Sequence, residues 1–242
     1  MARPLFGNKA QEDDNWISVS DLMAGLMMVF LFILIIYAKT ADERLQNAQE
    51  IVVEWRDSEL AIYEALIDEF ESDLKDWEAI IEKETLTIRF QSPRILFETG
   101  KADLSPKFKQ ILDDFMPRYI ELLATNFSGV IEEVRIEGHT SSDWKNSSEL
   151  EAFTYNMKLS QDRTRSVLDY SINLQDVRQH TQWMIKTVSA NGLSSARTVV
   201  NKNTGLEDRD LSKRVEFKVK TKAQEALFTI IEKIAPEVRG GF

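Results

Sequence analysis

A single carboxylate, Asp21, lies in a run from Trp16 to Ala38 that carries no other charge and is largely apolar. A carboxylate inside a bilayer costs roughly 2.5–3.5 kcal/mol on insertion scales. One interpretation is an interfacial acid that caps the start of a helix. The other is an ion carrier, because a carboxyl group shielded from water can bind and release a proton near neutral pH. The hydroxyls of Ser18 and Ser20 can then help to coordinate H⁺ or Na⁺.

An ion path along this segment needs a second wall, because one helix cannot enclose a path. Ala24 and Gly25 are small and follow Asp21 by about one turn. Small residues permit the close approach of another helix inside a membrane. Conduction through Asp21 therefore predicts a partner membrane protein.

The composition excludes several other kinds of chemistry. The 242 residues include no cysteine, which excludes a disulfide framework, a thiolate zinc site and a cysteine nucleophile. The only histidines are His139 and His180, too few for a histidine-rich metal site, and we interpret His139 as a structural residue at a strand end. A net charge of −10 argues against direct nucleic-acid binding, which needs a basic surface. We find no paired catalytic carboxylates or nucleophile elbow, and we expect neither enzymatic activity nor a cofactor besides the transported ion.

The run around Asp21 predicts one retained transmembrane helix over residues 16–38, after a tail of residues 1–15. At about 1.5 Å per residue, the distance from Trp16 to Tyr37 matches a hydrocarbon thickness of about 30 Å. A buried core helix would not be apolar on every face, and a cleaved signal peptide would follow basic rather than acidic residues. The basic residues on either side are equal in number, so the positive-inside rule does not set the orientation.

Residues 39–84 hold fifteen acidic and five basic residues and no proline or glycine. Apolar residues recur there at intervals of three and four, which predicts an acidic helical linker. Glu59 interrupts the apolar seam. The pattern leaves open whether the helix packs on its own domain or forms a dimer seam.

Residues 85–242 alternate strand and helix patterns, which predicts a small α/β sandwich. The predicted strands are 86–90, 130–138, one near 185–190, and 214–220. The predicted helices are 105–125, 157–173, a short one at 175–183, and a last one at 222–234.

Several motifs in this region, taken in order, resemble the OmpA-like peptidoglycan-binding domains. They are Ile95-Leu-Phe-Glu-Thr-Gly-Lys-Ala-Asp-Leu-Ser-Pro106, Val134-Arg-Ile-Glu-Gly-His-Thr140, Tyr155-Asn-Met-Lys-Leu-Ser-Gln-Asp-Arg163, Val188-Ser-Ala-Asn-Gly192 and Arg214-Val-Glu-Phe217. The resemblance implies a peptidoglycan site at these positions: Thr140, Asp143, Tyr155, Asn156, Leu159 and Arg163. Arg163 is suited to grip a stem-peptide carboxylate.

One position departs from that family. The usual Asp after His-Thr, which pairs with an ammonium of the stem peptide, is Ser141 here. Either Asp143 takes over this contact or the site binds more weakly.

The segment Trp16-Ile-Ser-Val-Ser-Asp-Leu-Met-Ala-Gly-Leu-Met-Met28 resembles the membrane helix of MotB-type stator subunits, whose Asp carries the ion. The whole chain therefore resembles that family, which implies an α+β fold with one transmembrane helix, an acidic helical linker and an OmpA-like domain. The Gly-His-Thr-Ser-Ser-Asp-Trp variant and the acidic linker are most similar to the MotB-like subunits of Zorya anti-phage defence systems.

The resemblance also implies partners and a location. We expect a MotA-like or ZorA-like multi-pass partner, a homodimer within a hetero-oligomer, and binding to peptidoglycan. The N-terminus would be cytoplasmic and the C-terminal domain periplasmic, in a bacterial inner membrane. The expected function is an ion-driven motor subunit in phage defence; a flagellar-type stator subunit and a passive wall tether remain alternatives. The choice between H⁺ and Na⁺ is open.

Overall fold

The computed structural model describes residues 10–223, with two units that meet between Val52 and Val53. Most of the predicted tail and almost all of the predicted helix at 222–234 lie outside the described residues. The first helix, α1, extends over Ala10–Leu74 and includes the predicted membrane segment and most of the predicted linker.

The apolar part of α1 has the length and composition of a membrane-spanning helix. Its most apolar 18-residue window has a mean hydropathy of 2.5, and none of that window is buried. Leu22 and Tyr37 are both 75% exposed. Water is a poor solvent for so continuous an apolar surface, so lipid or another protein must cover it.

The C-terminal part of α1 packs into the domain that follows it. Ile62, Leu66 and Phe70 repeat at four-residue intervals and are fully buried in the core, together with Trp77. This packing answers the question left open by the sequence for this stretch: the helix packs on its own domain. Residues 53–84 lie in the same compact unit as the sheet.

The domain contains a five-stranded sheet in the order β1-β2-β7-β3-β4. Only β3 and β4 are parallel neighbours; the other pairs are antiparallel. The strands of this sheet are β1 (Ala79–Glu82), β2 (Thr87–Phe90), β3 (Ile131–His139), β4 (Val188–Gly192) and β7 (Arg214–Thr221), and a separate hairpin is formed by β5 (Val199–Val200) and β6 (Glu207–Asp208).

Between α1 and residue 223, the helices are α2 (Pro93–Leu96), α3 (Pro106–Asn126), α4 (Glu149–Ile172), a 3₁₀ helix (Gln175–His180), α5 (Thr181–Thr187) and α6 (Arg209–Ser212). Aromatic contacts join the helical layer to the sheet: the Phe115 ring of α3 lies 5.3 Å from that of Phe90 and 5.0 Å from that of Phe217. The predicted α+β class, with a transmembrane-type helix before an α/β sandwich, is confirmed.

The main elements lie close to their predicted positions, with one clear shift. Helix α4 begins eight residues before the predicted start at 157. The cause is a capping box: the Ser148 hydroxyl accepts from the Glu151 N–H, and the Glu151 carboxylate accepts from the Ser148 N–H at 2.9 Å. Strand β1, helix α2, the β5–β6 hairpin and α6 are additional short elements.

Candidate functional site

Two glycines allow α4 to lie directly against the sheet. A Cβ atom at Gly192 would come within 2.2 Å of the Gln161 backbone nitrogen, and one at Gly138 within 2.6 Å of Thr164 Cγ2. Any side chain at Gly192 would push α4 away, since real Cβ atoms do not approach backbone so closely. These glycines allow the middle of α4 to lie beside the ends of β3 and β4.

The loop after β3 lies on this part of α4. The Thr140 N–H donates to the Ser194 carbonyl at 3.0 Å, and Ser194 in turn donates its own N–H to Ser160 Oγ of α4 at 3.0 Å. The Asn156 amide donates to the Asp143 carbonyl at 3.4 Å. The structure thus brings together Thr140, Asp143 and Asn156, three of the residues in the predicted site.

Two polar side chains of this region are buried. Thr140 and Asn156 are each 3% exposed. The Thr140 hydroxyl has no hydrogen-bond partner among the residues that the structure describes. A buried, unpaired hydroxyl costs free energy, which a ligand that bonded to it would recover.

Arg163 lies two turns along α4 from Asn156, and backbone carbonyls hold it. Its Nε donates to the Lys101 carbonyl at 2.9 Å, its Nη2 donates to the Glu98 carbonyl at 3.3 Å, and its Cζ lies 4.7 Å from the centre of the Phe97 ring. Burial lowers the pKa of Arg163 to about 10, so the group is still protonated at neutral pH. Within residues 10–223, no described carboxylate lies within ion-pair distance of it. Its positive charge is therefore available to an anionic ligand.

The remaining predicted site residues lie at the surface of α4. Tyr155 is 46% exposed, and its ring centre lies 5.4 Å from that of Trp144. Leu159 is half-buried. A ligand that spans Asn156 and Arg163 would pass over these side chains, which offer apolar contact.

The residue at the position that departs from the family pattern is not exposed to a ligand. Ser141 is buried, and the Asp143 carboxylate accepts a hydrogen bond from Arg209 Nη1 at 3.3 Å. A different carboxylate, Glu207 of β6, reaches the same loop and accepts from the Ser142 N–H at 3.0 Å. The sequence analysis missed Glu207, because it lies 65 residues away in a hairpin with no motif of its own.

Asp21 belongs to the other unit. Its side chain is exposed, and the described side chains provide no ion-pair partner for it. A Cβ added to Gly25 would meet nothing within 4 Å, so this surface of the helix is open. The Ser18 side chain lies outside the described part, whereas Ser20 is exposed beside Asp21.

A buried charged cluster lies at the ends of β3 and β7. His139 Nε2 is 3.4 Å from a Glu216 oxygen and 3.7 Å from a Glu137 oxygen. These ligand-type atoms lie close enough to surround a cation. However, the other Glu216 oxygen already accepts from Arg89 Nε and Arg214 Nε, each at 2.6 Å. The arginines compensate the acidic charge, so the cluster fits a structural network better than a metal site.

A family model, curated relatives and solved structures match this chain. The OmpA family model matches residues 96–210. A Zorya protein ZorB from Escherichia coli (strain Crooks) is 47% identical over 225 residues, which cover 93% of this chain and 95% of that protein. A second Zorya protein ZorB, from Escherichia coli O139:H28, is 25% identical over 88% of this chain and 85% of its own length. A solved MotB-like structure from Desulfovibrio vulgaris is 20% identical with a TM-score of 0.45, and covers 72% of this chain and 94% of that one.

Proposed function

Because the chain belongs to the ZorB family, we propose that it is the MotB-like subunit of an ion-driven membrane motor that acts in Zorya-type phage defence. The observation that carries the proposal is the state of Asp21. It is the only charged residue in an apolar segment whose side chains are exposed, and no described residue neutralises it. A carboxylate in this position needs a partner surface, because lipid cannot solvate it.

The partner in this proposal is a multi-pass MotA-like or ZorA-like membrane protein. It covers the face of α1 that includes Asp21 and Gly25, where the structure leaves open space. Asp21, with Ser18 and Ser20 beside it, passes H⁺ or Na⁺ along this shared surface. One elementary charge that moves through 100 mV releases about 2.3 kcal/mol, which is available to turn or tilt the partner.

The C-terminal domain anchors the subunit in this proposal. The Arg163 guanidinium, which has no ion-pair partner in the described part of the chain, binds a carboxylate of the peptidoglycan stem peptide, and Asn156 and Thr140 bind its amides. Tyr155 and Leu159 provide apolar contact. A wall-bound domain resists the force that the membrane segment generates. This arrangement places the N-terminus in the cytoplasm and the domain in the periplasm, with two copies of the chain in each complex and no catalytic chemistry in the chain itself.

Replacement of Asp21 by Asn tests the proposal. The substitution preserves shape but removes the titratable charge, so phage protection should be abolished in cells that express the complete system. Membrane insertion and pulldown with purified peptidoglycan should not change.

Asp42→Asn is the matched control. Asp42 is also an exposed acid on α1, and its contact is a hydrogen bond from Gln46 at 3.4 Å. This variant should protect as the wild type does. Full protection by Asp21→Asn would refute the motor and leave the passive tether, in which α1 only holds the domain at the membrane.

A further inference from the structure

Glu207 presents a fixed carboxylate at the loop that follows β3. Its Oε1 accepts from the Ser142 N–H at 3.0 Å, and its Oε2 accepts from the Ser142 hydroxyl. Two donors from one residue hold both oxygens in place. No Lys, Arg or His in the described part of the chain lies within ion-pair distance of Glu207, so its negative charge is uncompensated.

The neighbouring Asp143, unlike Glu207, has a counter-charge. Its carboxylate forms an ion pair with Arg209 at 3.3 Å, although both groups are more than half exposed. Its backbone carbonyl is bonded to Asn156. The loop therefore has one carboxylate that is already paired and one that is available to an external cation.

The structure also explains why Glu207 reaches this loop. It begins β6, which pairs with β5 through Val200. The next residue, Asp208, caps α6 by accepting from the N–H groups of Asp210 and Leu211 at 3.1 and 3.0 Å. A hairpin and a capped turn of helix thus fix the backbone on both sides of Glu207.

We propose that Glu207 binds an ammonium group of the peptidoglycan stem peptide, while Arg163 binds a carboxylate of the same peptide. This inference rests on the proposed wall-anchoring function. It follows from charge complementarity: the site has one fixed cation and one fixed anion without ion-pair partners among the described residues, which suits a ligand with both charges.

The path from Glu207 to Arg163 can be followed through the loop after β3 and α4. Glu207 is bound to Ser142, and the next residue in the loop contacts Asn156, seven residues before Arg163 on α4. Seven residues of helix extend about 10 Å. Three residues of extended peptide cover about the same distance. A stem peptide of three or more residues is therefore long enough to extend along α4 from Asn156 to Arg163, past Leu159.

Two soluble probes test this assignment with the full chain in detergent. The first is a muropeptide whose stem has a free diamino-acid ammonium; the second is the same fragment with that ammonium acetylated. Wild-type protein should bind the free amine at least 10-fold more tightly than the acetylated fragment. Glu207→Gln, which keeps the length of the side chain and an acceptor for Ser142, should bind both fragments equally and as weakly as the wild type binds the acetylated one.

Asp210→Asn is the control, because this acid is 80% exposed in its pair with Lys213, and it should keep the 10-fold preference. The inference is overturned if wild-type protein does not distinguish the two fragments, or if Asp143→Asn loses the preference while Glu207→Gln keeps it. The comparison of probes on wild-type protein does not depend on the folding of any variant. If wild-type protein binds neither fragment, the proposed wall anchor fails as well, so the two failures are distinguishable.

Discussion

Asp21 and Glu216 are two carboxylates with opposite surroundings. Glu216 is 6% exposed and accepts hydrogen bonds from two arginines. Asp21 lies on an exposed, otherwise apolar surface without an ion-pair partner among the described residues. The domain neutralises its buried acid with its own arginines, whereas no described residue neutralises the acid in the apolar segment. The contrast separates charges that are paired inside the fold from charges that have no counter-charge among the described residues.

Arg118 and Arg163 show the same contrast inside the domain. Arg118 donates to Glu69 at 2.6 Å and to Asp73 at 2.9 Å, and so ties the end of α1 to α3. Arg163 donates only to backbone carbonyls, and its charge is not compensated by a described acid. An arginine held in place but left unpaired is suited to recognise an anion.

Glu216→Gln should have the largest effect on stability. Removal of the charge leaves Arg89 and Arg214 without their buried counter-charge, and loss of one partner of a buried ion pair costs about 3–5 kcal/mol. Denaturant unfolding of the full chain in detergent micelles measures the loss in free energy of unfolding. Asp210→Asn is the matched control, because this acid is 80% exposed in its pair with Lys213. Its effect should stay within about 0.5 kcal/mol.

The pH dependence of unfolding gives a second measure of the same contrast. Burial alone raises the pKa of Glu216, but the His139 imidazole and the Arg214 guanidinium outweigh burial and hold this pKa well below its ordinary value. The resulting stabilisation is present above the unfolded-state pKa of about 4.3 and is lost as pH falls through the lower folded-state pKa. Wild-type stability should therefore drop more steeply below about pH 4 than that of Glu216→Gln. Equal slopes for the two proteins would show that folding does not lower the pKa of Glu216.

Arg163→Ala should have a smaller effect, and on binding more than on stability. Loss of one charge-assisted contact of about 1.5–3 kcal/mol corresponds to roughly 10- to 100-fold weaker binding. Pulldown with purified peptidoglycan measures the loss. Arg165→Ala is the matched control, because Arg165 is exposed on the same helix and lies 3.7 Å from Asp162. An equal loss for the two variants would show that peptidoglycan binding depends on general surface charge and not on the Arg163 site.

The sequence predicted the main elements because their signals are local. Ser105-Pro106 starts α3 as expected, with the Ser105 hydroxyl accepting from the Phe108 N–H at 3.0 Å. Strand β7 likewise lies where the sequence predicted a strand at 214–220. The start of α4 could also have been read from Ser148 and Glu151, which form a capping box at the usual spacing.

Other features depend on contacts between distant residues. The boundary of the domain lies within α1, because Ile62, Leu66 and Phe70 find their core partners far along the chain, beyond the reach of a helical pattern. The predicted site residues Thr140, Asn156 and Arg163 came from motif order alone. The approach of Glu207 to Ser142 depends on a hairpin of two-residue strands, which leaves almost no periodicity to detect.

Ion flux through the reconstituted complex tests the central claim most directly. The chain and its multi-pass partner would be placed in liposomes that contain a pH-sensitive or Na⁺-sensitive dye, and a membrane potential would be imposed. The account predicts that the wild-type complex passes H⁺ or Na⁺, that Asp21→Asn passes neither, and that Asp42→Asn passes the same ion as the wild type. An undiminished flux through the Asp21→Asn complex would contradict it.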